Sequence, residues 1–362
     1  AAVKKFGESV KYFGGNSEAR EKRSKVRVRV MAQAVSEAII ESKRVFVVGH
    51  KEMDFDCMGA ALCMSRMAAA YGKEVYVVSK SGGIESQLKE AFDSFYDDLN
   101  GRHRFLEDGE ASRMIKDEDL LIVVDHNNPN QTGAPLTLDN ANRIIVIDHH
   151  RRSEDFVGNP ILVYVETSAS STCELAAEFL PYQTNTVQLS EIEATFMYLG
   201  ILVDTNRFRQ RTGSRTFEAA AYLKNHGVDP LKAENMLKED YRSFAAKTNI
   251  MKYASMYKDN MIIAAVDERY QMSRTLMSQV ADSLLEIKGI EASFVLAKTD
   301  AESVAASSRS KGVINVQRIM EMMHGGGHFG AAALQRKNTS VEAVKKELQE
   351  TIDAYLEEIK EE

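Results

Sequence analysis

Two hydrophobic patterns alternate along the chain from about residue 44. Short β-branched and apolar runs indicate buried strands, and between them apolar residues recur at helical spacing. The predicted strands are Arg44–Val48, Glu74–Ser79, Leu120–Val124, Arg143–Ile147 and a run that ends near Val203. The predicted helices lie near 26–42, 57–71, 85–98, 170–180 and 216–225. This order predicts an α/β fold with a mainly parallel sheet and helices on both faces.

A turn-forming cluster at 226–230 marks a predicted domain boundary. Beyond it, a second and smaller α/β unit is predicted from further alternating runs. Its strands are expected at Met261–Val266, Ala292–Leu296 and Val304–Ala306, and its helices near 270–287, 313–323 and 340–360. The expected division is a leader and linker helix over 1–40, a first domain over 41–230, a helical linker over 231–256 and a second domain over 257–362.

Composition narrows the class of protein. A chain of 362 residues with 44% hydrophobic and 27% charged residues suits two globular domains. The net charge of −7 argues against broad binding of long nucleic acids. Three cysteines without a CxxC pair favour a reducing, cytoplasmic setting. Because the chain begins with Ala1 and not with methionine, we expect it to be part of a longer protein.

Chemistry-bearing residues follow four of the apolar runs directly. They are His50, Asp54 and Asp56 after the first, Asp125 after the third, Asp148, His149 and His150 after the fourth, and Asp204 after the last. In an open parallel sheet, the carboxyl ends of the strands share one edge, where ligands bind. A single such aspartate is commonly a turn residue or a helix cap. Four in the same position instead predict one site.

Carboxylates gathered in a cleft repel one another, and divalent cations remove that penalty. A mixed set of imidazole and carboxylate donors suits Mn(II), Fe(II) or Zn(II), and six ligands are enough for two ions. Two neighbouring ions can stabilise both the attacking and the leaving oxygens of a phosphoryl transfer. The residues therefore predict metal-assisted hydrolysis of a phosphoester.

A second cluster lies in the predicted C-terminal domain. Arg309 and Lys311 offer positive charge for a phosphate, and Gly325–Gly327 either let the backbone approach a ligand or merely end the preceding helix. Arg211–Arg215 follows Asp204 closely enough to line the same cleft. The cysteines have no base near them in sequence, so no nucleophilic role is predicted for them.

These motifs carry a family resemblance. His50-x-x-x-Asp54-x-Asp56, Asp125, Asp148-His149-His150 and Asp204 resemble the DHH phosphoesterase superfamily, and Arg309 with Gly325-Gly326-Gly327-His328 resembles its DHH-associated C-terminal domain. Segments 24–29, 211–219 and 315–317 further resemble GdpP-type cyclic-di-AMP phosphodiesterases, the first of them as the exit from a degenerate GGDEF domain. Ser308 and His324 depart from the family pattern, at positions commonly occupied by Ala and Gly.

The resemblance implies a role for each residue of the two clusters. One Mn(II) would be held by His50, Asp54 and Asp125, and a second by Asp56, Asp125, His149 and Asp204, other divalent metals being alternatives. His150 would contact the scissile phosphate, with Asp125 and His150 as catalytic residues and Asp148 orienting its neighbours. The expected substrate-binding residues are Arg211, Thr212, Ser214, Arg309, Gly325, Gly326, Gly327 and His328. The active site is expected in the cleft between the two domains.

The implied reaction is hydrolysis of cyclic di-AMP to 5′-pApA by in-line attack of water, assisted by the two metal ions. The alternatives are another phosphoesterase of the superfamily (a short-oligonucleotide or pApA exonuclease, a pyrophosphatase or a RecJ-like nuclease) and a non-catalytic nucleotide sensor. The expected partner is a cyclic dinucleotide, without long nucleic acid or membrane contact by this fragment, and a homodimer is allowed. The full-length protein is expected at the cytoplasmic face of a bacterial membrane.

Overall fold

The first two thirds of the chain alternate strands and helices, as the hydrophobic pattern predicts. The computed structural model describes residues 2–6, 9–13, 24–79, 83–84 and 86–361, which form two units, Ala1–Lys238 and Glu239–Glu362. The strands of the first unit are β1 (Ala2–Phe6), β2 (Ser9–Phe13), β3 (Arg44–Val48), β4 (Glu52–Met53), β5 (Glu74–Val78), β6 (Gly83–Ile84), β7 (Phe105–Leu106), β8 (Leu120–Val124), β9 (Ile144–Asp148) and β10 (Leu162–Val165). Its helices are α1 (Lys25–Glu41), α2 (Phe55–Ala70), α3 (Ser86–Ser94), α4 (Tyr96–Asn100), α5 (Asp108–Met114), α6 (Pro135–Asn140), α7 (Thr172–Phe179), α8 (Glu191–Asp204), α9 (Ser214–Lys224) and α10 (Pro230–Met236).

The main sheet of this unit has the strand order β10-β9-β8-β3-β5-β7, and every neighbouring pair is parallel. Its strands are apolar throughout because both faces are covered. In β3, Val45 and Val47 pack into one core with α1 and α2, whereas Phe46 and Val48 pack into another with α5 and α6. The predicted α/β architecture with helices on both faces is confirmed.

The strand predicted to end near Val203 is wrong. Gly200–Val203 lies in the last turn of α8, which begins at a capping box formed by Ser190 and Glu193. A short apolar run cannot by itself distinguish a strand from a fully buried helix, and α8 is buried over nearly its whole length. The Ser-x-x-Glu pattern ten residues earlier was the signal for the helix.

The leader shows both agreement and difference with the prediction. The helix predicted at 26–42 is α1, whose N-cap Ser24 accepts a hydrogen bond from the Arg27 amide. Upstream, where a tail is predicted, β1 and β2 pair as an antiparallel hairpin. The charged run that precedes Ser24 lies outside the described residues. Within the described residues, no helix is long and apolar enough to cross a bilayer.

The second unit is a mixed sheet with helices. Its strands are β11 (Ala254–Tyr257), β12 (Met261–Ala265), β13 (Ala292–Lys298), β14 (Ser303–Ser310), β15 (Gly326–His328) and β16 (Ala331–Lys337), in the order β11-β12-β13-β14-β16-β15. Its helices are α11 (Tyr241–Met251), α12 (Arg274–Leu285), α13 (Val316–Met322) and α14 (Val341–Glu361). One core lies between the sheet and α13 with α14, and another between the sheet and α12.

The glycine cluster that follows α13 lies largely in a strand. Gly326–His328 is strand β15, which pairs with β16 in a tight hairpin. A Cβ on Gly327 would come within 2.4 Å of the Ala332 Cα, and the φ of Gly327 is 151°. At Gly325, a Cβ would lie 2.5 Å from the Ala333 carbonyl oxygen. The backbone therefore requires glycine at both positions, independently of any ligand.

Candidate metal centre

The predicted ligands come from the ends of five elements, three strands and two helices. His50 follows β3 and Asp125 follows β8, while Asp56 lies in the first turn of α2. His149 follows β9, and Asp204 is the last residue of α8. The parallel sheet brings the strand ends to one edge, as predicted. A buried helix, and not a fourth strand, carries Asp204 to the same place.

His149 is the centre of the most buried group. Its Nε2 lies 3.1 Å from Asp204 Oδ2, 3.5 Å from Asp125 Oδ1 and 3.7 Å from Asp56 Oδ2. Nevertheless, this buried nitrogen has no hydrogen bond of acceptable geometry to a described residue. An imidazole nitrogen that has no hydrogen bond, surrounded by three carboxylates, forms a donor set suited to a divalent cation.

A second group adjoins the first. His50 Nε2 lies 3.3 Å from Asp125 Oδ2 and 3.7 Å from Asp54 Oδ1. Asp54 also caps α2, because its Oδ1 accepts the Cys57 amide at 3.0 Å. Asp125 thus faces His50 with one carboxylate oxygen and His149 with the other.

Among the described residues, three sets of donor atoms lie close enough to hold an ion, with all atoms of a set within 4.8 Å of one another. Each set combines imidazole with carboxylate, and one adds a thiol. The sets are His50, Cys57 and Asp125; Asp125, His149 and His150; and Asp56, His149 and Asp204. Because Asp125 belongs to two of them, the arrangement suits two neighbouring ions that share its carboxylate.

Protonation of this cluster also fits a cation site. Burial, together with repulsion from Asp56 and the other nearby aspartates, raises the pKa of Asp125 well above its usual range. Burial and the Asp204 carboxylate raise the pKa of Asp56 to about 6. Burial alone would lower the pKa of His149, but Asp204 and Asp56 outweigh it and raise that pKa to about 9. The aspartates raise one another's pKa values by mutual repulsion, and a bound divalent ion would relieve that repulsion.

The start of α7 holds two of the buried aspartates, Asp56 and Asp125, through backbone and side-chain hydrogen bonds. The Thr172 and Cys173 amides donate to the two oxygens of Asp56 at 2.7 and 2.8 Å, and Thr172 Oγ1 donates to Asp125 Oδ1 at 2.9 Å. Asp125 itself has a φ of 62°, the left-handed region that residues other than glycine seldom occupy. Such strain is typical of functional sites.

His150 is held by its neighbour Asp148. Asp148 Oδ1 lies 2.8 Å from His150 Nδ1 and accepts the His150 amide at 3.0 Å, and Asn127 Nδ2 donates to the other oxygen at 2.5 Å. Burial alone would raise the pKa of Asp148, but the bonds from His150 lower it. Asp148 is buried, whereas the His150 side chain is half exposed. Asp148 therefore fixes the His150 ring at Nδ1.

Sequence reasoning missed two residues of this centre. Thr172 carries the hydrogen bond to Asp125, and its signal was its position next to the N-cap Ser171 of α7. Cys57 was dismissed for want of a nearby base, yet its sulfur lies beside His50 and Asp125. The spacing of seven residues between His50 and Cys57 hides this contact, because β4 and the start of α2 fold the chain back between them.

The predicted substrate residues of the first unit lie in the turn after α8 and at the start of α9. Arg211 is exposed with a φ of 52°, Thr212 Oγ1 donates to the Gln210 carbonyl at 3.0 Å, and Ser214 is exposed at the first residue of α9. The neighbouring Arg215 is buried against Glu178 of α7, with 2.6 Å between Nε and Oε1. That ion pair joins α9 to α7.

In the second unit, Arg309 lies on β14 with its Nε 2.9 Å from Asp282 Oδ1. Ser308, the first departure from the family pattern, is buried and donates to the Ala332 carbonyl at 2.8 Å, so its hydroxyl is satisfied within the sheet. His324, the second departure, has a φ of 56°, a backbone conformation that glycine adopts without strain. A cavity of about 240 Å³ lies beside Gly325.

Comparison with known families now adds to the geometry. Residues 44–201 match the DHH family, N-terminal domain, and residues 258–358 match the DHHA1 domain. The chain is a DHH–DHHA1 protein. The predicted family resemblance is therefore confirmed, with the motif residues of the first cluster inside or next to the DHH match.

Two curated relatives match nearly the whole chain. The cyclic-di-AMP phosphodiesterase PdeA of Listeria monocytogenes is 39% identical over 353 residues, and GdpP of Bacillus subtilis, which has the same activity in its name, is 39% identical over 360 residues. Each alignment covers 98% of this chain and 54% of the relative. This DHH–DHHA1 chain therefore spans about half the length of the curated relatives it matches.

A solved structure supports the fold. An exopolyphosphatase-related protein from Bacteroides fragilis superposes with a TM-score of 0.75 at 20% sequence identity, covering 90% of this chain and 96% of that one. At that identity the likeness speaks for the architecture of a DHH–DHHA1 protein and for nothing finer.

Proposed function

We propose that this chain is the catalytic part of a cyclic-dinucleotide phosphodiesterase that hydrolyses cyclic di-AMP to 5′-pApA with two divalent metal ions, Mn(II) being the expected metal. The observation that carries the proposal is the position of Asp125, whose two carboxylate oxygens face His50 and His149. Two ions that share one carboxylate are suited to the displacement of one phosphate oxygen by another. The relatives named for cyclic di-AMP favour that substrate.

The proposed ligands are those of the two adjoining groups. His50, Asp54 and Asp125 would hold one ion, and Asp56, Asp125, His149 and Asp204 the other. The metal ions, when bound, would polarise the phosphate and lower the pKa of water so that it can attack near neutral pH. The buried amides of Thr172 and Cys173 keep the Asp56 carboxylate in place, so its geometry does not depend on the ion.

His150 is proposed to act on the substrate. With Nδ1 engaged by Asp148, its Nε2 is free to contact the scissile phosphate and to give a proton to the leaving 3′ oxygen. Asp148 acts as a positioning residue that fixes the ring and its tautomer. The alternative proton donor is water.

The remaining substrate contacts are proposals as well. Arg309 and the segment Gly325–His328 are proposed to hold nucleotide phosphate and base, with Arg211, Thr212 and Ser214 contributing from the first unit. Arg309 is held by Asp282 at Nε and by the Ser308 carbonyl at Nη1, so a phosphate oxygen would be bound through Nη2. We propose the cytoplasmic face of a bacterial membrane as the location of the whole protein, and a cyclic dinucleotide as its partner.

The test is a chromatographic assay of the purified chain. Cyclic di-AMP, cyclic di-GMP and pApA are offered separately, with Mn(II) and with a chelator. We expect Mn(II)-dependent conversion of cyclic di-AMP to pApA, faster than any conversion of the other two. Cleavage of pApA alone would instead favour a short-oligonucleotide exonuclease, and tight binding of cyclic di-AMP without turnover a nucleotide sensor.

A further inference from the structure

Cys57 is a buried thiol at the edge of the candidate metal centre. It lies in the first turn of α2, one residue after Asp56, and its side chain has no exposed surface. Its Sγ, one ring nitrogen of His50 and one oxygen of Asp125 all lie within 4.8 Å of one another. These three atoms form a donor set of their own, without Asp54.

The preceding strand leaves room for this thiol. A Cβ on Gly49, the residue between β3 and His50, would lie only 2.0 Å from Cys57 Sγ. The sulfur therefore occupies the place that a side chain at position 49 would fill. As a result, the thiol lies against the strand end from which His50 projects. Gly49 and Cys57 together place sulfur beside the imidazole.

The other buried cysteine on α2 provides the contrast. Cys63 lies nearly two turns further along the helix and belongs to none of the three donor sets. Both thiols pack within the same hydrophobic core. A purely packing role for Cys57 would make the two residues equivalent, and proximity to His50 and Asp125 is what distinguishes them.

We propose that Cys57 supplies a sulfur ligand to the ion held by His50 and Asp125, so that this position favours thiophilic divalent metals over Mn(II). The inference rests on the proposed two-ion site and adds a metal preference to the position held by His50 and Asp125. On binding, the sulfur forms a bond to the ion and its proton passes to water. Thiolate ligands select Zn(II) and other soft or borderline ions, whereas carboxylates alone suit Mn(II).

The experiment uses Co(II) as a spectroscopic probe on the whole chain. A sulfur ligand gives a strong sulfur-to-cobalt charge-transfer absorption in the near ultraviolet, while the weaker visible bands report any bound Co(II). We expect both features in the parent protein. The charge-transfer band should disappear in Cys57→Ser and Cys57→Ala, with the visible bands retained, and should remain in the matched control Cys63→Ala.

A competition titration gives a second readout that does not depend on turnover. The preference for Zn(II) over Mn(II) should fall about tenfold or more in Cys57→Ser, a loss comparable to that caused by removing a partner of a metal ligand. If the parent showed the visible bands of bound Co(II) but no charge-transfer band, Cys57 would not be a ligand. That result would not contradict the two-ion site. Failure of the parent to bind Co(II) at all would overturn both.

Discussion

Thr172 Oγ1 donates a hydrogen bond of 2.9 Å to Asp125 Oδ1, which joins the start of α7 to the carboxylate that faces both imidazoles. The same residue uses its backbone amide on Asp56. Thr172 therefore orients two proposed ligands, Asp56 and Asp125, that lie far apart in the sequence. Partners of this kind fix the direction in which a ligand presents its lone pairs.

Replacing Thr172 with valine tests this role. Thr172→Val keeps the side-chain shape and the amide bond to Asp56 but removes the hydroxyl donor to Asp125. We expect Mn(II) to bind about 10–100-fold more weakly, as measured by calorimetric titration. The matched control is Thr195→Val on α8, whose hydroxyl donates to the Glu191 carbonyl within the same helix, and it should bind metal as the parent does. Unchanged affinity in Thr172→Val would mean that Asp125 does not need this partner.

Replacing Asp125 with asparagine should preserve thermal stability in the absence of metal and reduce the stabilisation by Mn(II). In Asp125→Asn the amide oxygen still accepts the Thr172 hydroxyl, but the buried charge that faces Asp56 and the other aspartates is gone. We expect the metal-free variant to melt at or above the temperature of the parent, because like-charge repulsion is relieved. Adding Mn(II) should raise the Tm of the parent by more than it raises the Tm of the variant.

The control for that comparison is Asp139→Asn, an exposed carboxylate on α6. Its Tm should follow the parent with and without Mn(II). A clear loss of stability in metal-free Asp125→Asn would show that the Asp125 carboxylate stabilises the fold, contrary to the repulsion argued here.

Glu193 gives the chain a defined acid sensitivity away from the metal centre. Burial alone would raise its pKa, but His103, Arg102 and the Ser190 amide lower it to about 2. Its stabilising effect is therefore present above the ordinary pKa near 4.5 and is lost as the pH falls from there towards 2. At pH 7, Glu193→Gln should lower the free energy of unfolding by about 3 kcal/mol.

Urea unfolding at several pH values measures this effect. The difference in the free energy of unfolding between the parent and Glu193→Gln should become smaller as the pH falls from 5 towards 2. Glu191→Gln, on the same turn of α8 but exposed with Lys232, should change stability by less than about 1 kcal/mol. If this difference in the free energy of unfolding did not change with pH, the Glu193 carboxylate would not be the group whose titration lowers stability in acid.

The two neighbouring glycines of β15 should respond differently to alanine. Gly327→Ala places a Cβ against the Ala332 backbone at a φ of 151°, so we expect a loss of about 3 kcal/mol or more in the free energy of unfolding. Gly326→Ala meets nothing within 4 Å and should leave stability nearly unchanged. Equal effects in thermal unfolding would contradict the hairpin geometry.

Much of the main sheet could be predicted from the sequence because strands that are buried on both faces are continuous apolar runs. The residues after β3, β8 and β9 could be predicted to converge for the same reason. The sequence was insufficient for α8, where the apolar run before Asp204 fits a strand as well as a buried helix. It also missed Thr172 and Cys57, because contacts between a helix start and a strand end depend on three-dimensional packing and leave no periodic signal.

The central claim is that two ions share Asp125, and electron paramagnetic resonance of the Mn(II)-loaded chain tests it most directly. We predict two Mn(II) bound per chain with the spectrum of an exchange-coupled pair, reduced in Asp125→Asn to the signal of isolated ions or of none. Cyclic di-AMP cleavage should appear only as the coupled signal develops. A parent spectrum of isolated Mn(II) ions at full occupancy, with or without turnover, would contradict the shared carboxylate.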